Sequence, residues 1–166
     1  MDGRVTEEAG LASPAALESA YRAHREALFR VCLVLTGDKD MAEDIVHDAF
    51  LSGGDRIVGL DDASARRYLR RVAINAWRSQ ERRRRFQLRR APLLKPLPSL
   101  EPDHGDRLAI WAEVLRLPSR QRAVVVLRFY EDLSEHEIAE VLGCATGTVK
   151  SQLSRALAKL RKDVEP

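Results

Sequence analysis

The chain has 166 residues, 45% of them hydrophobic and 32% charged, which excludes a wholly disordered chain and suits one medium or two small helical domains. The net charge of +3 hides a strong asymmetry, because residues 66–95 hold twelve Arg or Lys and one acid, whereas residues 38–62 hold eight acids and two bases. A basic surface of this kind suits phosphate, and an acidic one needs a different partner or stays solvated.

The N-terminal part predicts a tail and two helices. Residues 1–14 are polar and end at Ser13-Pro14, which indicates a loose tail. Apolar residues then recur at helical spacing over residues 15–36. A second helix is predicted over residues 39–51, and the run Ser52-Gly53-Gly54 is expected to end it.

A long basic helix follows. After a loop at residues 55–64, helical spacing of apolar residues predicts a helix over residues 65–90. Its distal part contains four consecutive arginines, Arg82 to Arg85. Arginines so close on one helix repel each other unless an anion neutralises them. This end of the helix is therefore expected to face solvent or an anion.

A proline-rich segment marks the clearest domain boundary. Residues 91–106 contain four of the seven prolines, and proline removes the N–H donor that a helix needs. Helices are predicted beyond it, over residues 107–117 and 119–130. The predicted fold is all-α, with helical domains at residues 15–90 and 107–166 joined by this linker.

Residues 133–162 read as two short helices around a glycine turn. Ser134 and Glu137 form an S-x-x-E capping box, and Gly143 follows where a helix would need a left-handed cap. The second helix has one apolar face, while its other face is basic and hydroxylic. This pattern predicts a helix-turn-helix for a DNA major groove.

Cysteine, histidine and hydropathy patterns limit the other possibilities. Cys32 lies in an apolar run and is expected in the core, and no disulfide with Cys144 is expected in a cytosolic protein. The four histidines lack ligand spacing, so neither a metal nor another cofactor is expected. No signal peptide opens the chain and no apolar run approaches the ~20 residues of a membrane span, so we expect a cytoplasmic location.

Three motifs in order make the chain resemble bacterial extracytoplasmic-function (ECF) sigma factors, the small initiation subunits of RNA polymerase. They are the acidic GDKDMAEDIVHDAFL, the basic ARRYLRRVAINAWRSQERRRRF, and LPSRQRAVVVLRFYEDLSEHEIAEVLGCATGTVKSQLSRALAKLR. The resemblance covers residues 17–161. It implies no catalytic chemistry, and it implies core RNA polymerase and promoter DNA as partners. Many members are held by an anti-sigma factor, which is therefore a candidate third partner.

The resemblance also assigns roles to residues. The acidic helix would grip a basic coiled coil of the polymerase through Asp44, His47, Asp48 and Leu51. Asp44, His47 and Asp48 share one helix face by their i, i+3, i+4 spacing. His47 stands where a Gln is often found. The short form of this helix predicted above departs from the family pattern, which usually continues it.

Two sets of residues would contact promoter DNA. For the minus-ten element and its melting they are Arg66, Asn75, Trp77, Arg78, Arg82 and Arg83, and Trp77 fits the core as well as a stacking position. For the upstream minus-thirty-five element they are Thr146, Thr148, Lys150, Ser151, Ser154 and Arg155. The two threonines suit phosphate at a helix N-terminus. Arg155 suits bidentate contact with guanine, worth roughly 1–3 kcal/mol of discrimination.

Two other functions are the alternatives to a sigma factor. A stand-alone helix-turn-helix regulator would need a receiver or ligand-binding domain, and the N-terminal half has no βαβ pattern. A nuclease would need carboxylates converging on a metal, and Asp44 with Asp48 lacks a third acid or histidine in a suitable context.

Overall fold

The computed structural model describes residues 13–88 and 105–164, and every regular element in these ranges is an α-helix. The helices are α1 Pro14–Thr36, α2 Lys39–Ile57, α3 Asp62–Leu88, α4 Gly105–Arg116, α5 Ser119–Phe129, α6 Glu135–Leu142 and α7 Thr146–Val164. The all-α prediction is confirmed. The predicted tail and most of the predicted linker lie outside the described residues.

Helix α1 has clear sequence signals at both ends. The Ser13 hydroxyl accepts a hydrogen bond from the Ala16 N–H at 3.2 Å, and Gly37 ends the helix with φ of 67°. Most of the predicted apolar stripe is buried, including Cys32, while its first members, Leu17 and Tyr21, are half-buried. Burial raises the pKa of the Cys32 thiol to about 12, so it stays protonated as a small apolar core group.

Helix α2 does not end where the sequence pattern predicted. It runs through Gly53 and Gly54 to Ile57, so the predicted end at residue 51 is wrong. Both glycines are buried where neighbours approach closely: a Cβ would lie 2.7 Å from the Tyr68 ring at Gly53 and 2.7 Å from Leu17 at Gly54. Each glycine costs the helix roughly 1 kcal/mol relative to alanine. Close packing of α2 against α1 and α3 offsets this cost.

Gly53→Ala tests this explanation. Alanine is the better helix former, but its methyl group would overlap the Tyr68 ring. We expect the free energy of unfolding to fall by about 1–3 kcal/mol, measured by urea denaturation. Gly147→Ala is the control, because a Cβ there meets nothing within 4 Å. It should leave stability unchanged or raise it by up to about 1 kcal/mol, and an equal loss at both positions would contradict the packing explanation.

Helices α1, α2 and α3 pack on one another and form the N-terminal unit. Its core contains Ile45, Ala49, Leu69 and Trp77, all of them fully buried. Helix α3 begins three residues earlier than predicted, just after Asp61. Hydrogen bonding from the Ser64 side chain, and then from the Ser64 N–H at 3.0 Å, lowers the pKa of the Asp61 carboxyl.

Helices α4 to α7 form the C-terminal unit, and α6 and α7 are the predicted helix-turn-helix. The capping box is present: the Glu137 N–H donates to the Ser134 hydroxyl, and the Ser134 N–H donates to the Glu137 carboxylate. Gly143 has φ of 62°, as its predicted cap position requires. Ile138 and Val149 are fully buried and join the two helices in one core.

The two units pack against each other, and one buried arginine lies at their junction. Arg122 of α5 donates to the Leu35 carbonyl at 2.9 Å, at the end of α1, and to the carbonyls of Leu115 and Leu117, at the end of α4. Its guanidinium carbon also lies 5.5 Å from the centre of the Trp77 ring of α3. A cation at two helix C-termini is favourable, because their carbonyl dipoles point toward it.

Two further polar contacts connect the units. Arg70 of α3 pairs with Glu131, just beyond α5, and both side chains are largely buried. Arg78 of α3 donates to the Leu142 carbonyl at the end of α6, at 3.4 Å. We call the packed arrangement of the two units, with these contacts made, the closed arrangement.

Candidate nucleic-acid and partner-binding surfaces

Helix α2 carries an exposed acidic face that ends in an apolar residue. Asp44, His47 and Asp48 are exposed, and Leu51 is 73% exposed. Because α2 continues past Leu51, this face also includes exposed Asp55, which our sequence analysis missed. Asp55 lies four residues after Leu51, a spacing that places both on one helix face. The sequence pattern did not indicate this because it predicted a helix end at residue 51. Leu51 gives this acidic face one exposed apolar side chain among its carboxylates.

Helix α3 presents the predicted minus-ten residues in different environments. Asn75, Arg82 and Arg83 are exposed. Arg66 is also exposed and donates to Asp62 at 2.7 Å, one turn earlier on the same helix. Arg78 is half-buried: burial lowers its pKa, and the nearby positive charges of Arg120 and Arg82 lower it further. It remains a cation, since its ordinary pKa is far above neutrality.

Trp77 does not lie on this surface. In the closed arrangement its side chain is fully buried in the core, with Arg122 next to its ring, so no ring face is open to a base. The sequence pattern fitted either a core position or a stacking position for Trp77. The structure places Trp77 in the core because α3 packs on both units. We therefore leave Trp77 out of the proposed DNA contacts.

Helix α7 exposes most of the residues predicted for the upstream element. The exposed ones are Thr148, Lys150, Ser154 and Arg155. The other two, Thr146 and Ser151, are half-buried. Thr146 is the first residue of the helix. The Ser151 hydroxyl donates to the Thr148 carbonyl at 2.9 Å, and the Lys150 ammonium lies 3.7 Å from Glu135. The apolar residues predicted as core, Val149 and Leu157, are buried or half-buried.

The surfaces of α3 and α7 that carry the predicted DNA contacts meet in the closed arrangement. A cavity of about 130 Å³ is lined by Arg78 of α3 together with Cys144, Thr148 and Gln152 of the helix-turn-helix. A second, open cleft of about 470 Å³ lies between α3 and the start of α5. Arg120 lines both, and no local pattern in the sequence marks it. The structure thus brings the start of α7 next to the middle of α3.

Within the described residues, no helix is long and apolar enough to cross a membrane. Over those same ranges, no group of three His, Cys, Asp or Glu side chains is arranged to hold a metal ion. Both cysteines are free thiols.

Two segments of the chain match known sigma-factor regions. Residues 20–87 match Sigma-70 region 2, and residues 107–160 match Sigma-70, region 4. The first match spans α2 and nearly all of α3, and the second spans α5, α6 and most of α7. The acidic face, the basic helix and the helix-turn-helix therefore all lie inside these matches.

Comparison with individual proteins agrees with these matches. The chain is 39% identical to the RNA polymerase sigma-E factor of Streptomyces avermitilis, over 89% of this chain and 84% of that protein. It is 33% identical to the ECF RNA polymerase sigma factor SigL of Mycobacterium tuberculosis, over 92% and 91%. The fold resembles the sigma factor RpoE of Bartonella quintana, solved in complex with the anti-sigma factor NepR, with a TM-score of 0.72, 23% identity, and coverage of 89% and 95%. The chain belongs to the ECF sigma factors of the sigma-70 family.

Proposed function

We propose that this sigma factor binds core RNA polymerase, recognises a two-part promoter and promotes melting of its downstream part. The observation that carries the proposal is the division of the surface: an exposed acidic face on α2, and separate basic, DNA-compatible faces on α3 and α7. Each face has the charge that its partner requires, since DNA phosphates attract cations and a basic polymerase coiled coil attracts carboxylates.

The three faces would act on different ligands. The acidic face of α2, extended to Asp55, contacts the polymerase. Asn75 reaches an unstacked base at the start of the bubble, while Arg82 and Arg83 neutralise backbone phosphates beside it. Lys150 and Arg155 of α7 contact the upstream element in the major groove. Thr146 and Thr148 contact phosphate at the helix start.

Reading two promoter elements requires the closed arrangement to open. Elements named for positions minus ten and minus thirty-five lie about 25 base pairs apart, which is ~85 Å along the duplex. In the closed arrangement Arg78 and Leu142, at the two DNA-facing surfaces, are within 3.4 Å of each other. The units must therefore separate when both elements are bound, with the linker spanning them.

Run-off transcription with purified core polymerase on genomic fragments tests the proposal. We expect discrete transcripts that require the chain and that share two sequence elements upstream of their starts. A native pull-down with core polymerase at low salt separates the sigma factor from its main alternative. DNA binding without polymerase association would favour a stand-alone regulator.

Arg155→Ala should weaken promoter-specific transcription through the upstream element. Loss of a bidentate guanine contact costs about 1–3 kcal/mol, which corresponds to a 5- to 150-fold loss in promoter affinity. Lys159→Ala is the matched control, because it removes one exposed positive charge from the same helix. Equal losses for the two variants would indicate general charge attraction rather than base recognition by Arg155.

Asn75→Ala should slow open-complex formation on duplex DNA and leave transcription from a pre-melted bubble nearly unchanged. Asn75 is exposed on α3, so its removal takes away an amide for a base edge without disturbing the core. Permanganate footprinting of unpaired thymines would follow melting directly. Equal loss on both templates would argue against a melting role.

A further inference from the structure

The open cleft between α3 and α5 concentrates positive charge where the two units meet. Its volume is about 470 Å³, and it is lined by Asn75, Arg78, Ser79, Arg82, Ser119 and Arg120. Four of these residues come from α3 and two from α5. None of the six is acidic, and each offers N–H or O–H donors. The cleft is therefore built for an acceptor-rich, negatively charged group.

Arg78 of the cleft lies close enough to Arg82 and Arg120 to be repelled by both. Burial lowers the pKa of Arg78, and the positive charges of Arg120 and Arg82 lower it further. Each effect means that the positive charge of Arg78 is held at an energetic cost. An anion in the cleft would remove this cost and add charge-assisted hydrogen bonds.

The start of α5 adds donors to the same cleft. Ser119 is the first residue of α5, and the residue before it, Pro118, makes no side-chain cap. The first N–H groups of a helix have no partner within the helix, and the helix dipole makes this end positive. The cleft thus combines cations from α3 with a cation, a hydroxyl and a positive helix end from α5.

We propose that this cleft binds a small oligophosphate, a chain of two or three linked phosphate groups, and that the bound anion holds the two units together. A volume of this size is typical of small-molecule sites, which span roughly 300–1,000 Å³. Several cations spread along a cleft suit several linked phosphates better than a single one. The chain could be inorganic or part of a nucleotide, since both present the same phosphate oxygens.

Isothermal titration of the full-length chain with inorganic tripolyphosphate tests the site, with ionic strength held constant by NaCl. We expect one site per chain. Arg120→Ala should weaken binding at least tenfold, because it removes one of the three cations. Arg116→Ala is the control: Arg116 is an exposed arginine of the same unit that does not line the cleft, and binding should change less than twofold.

Parallel titrations with orthophosphate and a nucleoside triphosphate separate the possible sources of the anion. Tighter binding of the nucleotide than of tripolyphosphate would identify a nucleotide site, and equal binding would identify recognition of the phosphate chain alone. Orthophosphate should bind at least tenfold more weakly than tripolyphosphate. Arg120 is exposed and is not among the proposed DNA contacts, so Arg120→Ala should retain binding to core RNA polymerase in a native gel shift without nucleotides or tripolyphosphate, which keeps this test independent of the proposed function.

Three results would overturn the proposal. They are the absence of tripolyphosphate binding by the wild-type chain, wild-type affinity in Arg120→Ala, and equal loss in Arg116→Ala, which would indicate diffuse charge attraction. The bridging role has its own test, because a variant that opens the two units should split the site. Arg122→Ala should bind tripolyphosphate more weakly, and unchanged affinity would show that one unit suffices.

Discussion

Arg122→Ala should separate the two units of the free chain. Arg122 donates to the last turn of α1 and to the end of α4 while lying against the Trp77 ring. No other described side chain bridges the N-terminal and C-terminal units by hydrogen bonds from so buried a position. Alanine keeps helix α5 intact but removes all of these contacts. The radius of gyration from small-angle X-ray scattering should therefore increase.

The variant should also lose stability. Leu35, Leu115 and Leu117 would keep buried carbonyl groups without this donor, at a cost of about 1–3 kcal/mol for each group that water does not reach. When the two units separate, water can hydrogen-bond to some of these carbonyls. We therefore expect the units to separate, in addition to the loss of stability. We expect a total loss of about 3–5 kcal/mol in urea denaturation if the closed arrangement persists. A smaller loss together with a larger radius would indicate opening.

Three control variants identify what Arg122 contributes. Arg122→Lys keeps the charge but lacks the planar fork that reaches several carbonyls, so it should open partly. Arg128→Ala removes an arginine that bonds only within the C-terminal unit, to the Leu133 carbonyl at 2.9 Å, and should stay closed. Glu131→Ala removes the pair with Arg70 and should open less than Arg122→Ala. Wild-type dimensions for Arg122→Ala would show that apolar packing alone holds the units.

The elements that could be predicted from the sequence are those whose determinants are local. The capping box at Ser134 and the left-handed cap at Gly143 act within a few residues, and both are present. Gly53 and Gly54 were misread because their reason is not local. They look like a helix end, yet they sit where Tyr68 and Leu17 approach α2, and that approach exists only after folding.

The junction between the units was beyond sequence reasoning for the same reason. Arg122 follows the polar residues 119–121 and precedes an apolar run, and local patterns place such a charged residue at the surface. Its acceptor at Leu35 is 87 positions away, and only the packing of the two units brings them together. Trp77 was ambiguous because α3 contacts both units, so helical periodicity cannot separate a buried face from a DNA-binding one.

The double variant Asp44→Arg, Asp48→Arg should abolish binding to core RNA polymerase. Both carboxylates are exposed on one face of α2, so reversing them leaves the fold intact while changing the charge of that face by +4. If the partner surface is basic, attraction becomes repulsion, and like charges across an interface cost several kcal/mol. A cost of ~3 kcal/mol corresponds to roughly a 100-fold loss of affinity. Native gel shift or analytical size exclusion with core polymerase would measure it.

The location of the reversed charges, rather than their number, should decide whether the chain still binds core polymerase. Glu18→Arg with Glu26→Arg makes the same change in charge on α1, where each glutamate forms only an exposed pair one turn away. Such pairs contribute little to stability, so this control should fold and bind polymerase within a few-fold of wild type. Leu51→Ala should weaken binding without any change in charge, since Leu51 is 73% exposed beside the carboxylates. If the acidic reversal bound as well as the α1 control, the polymerase contact would have to lie elsewhere, and α2 would be a solvated helix.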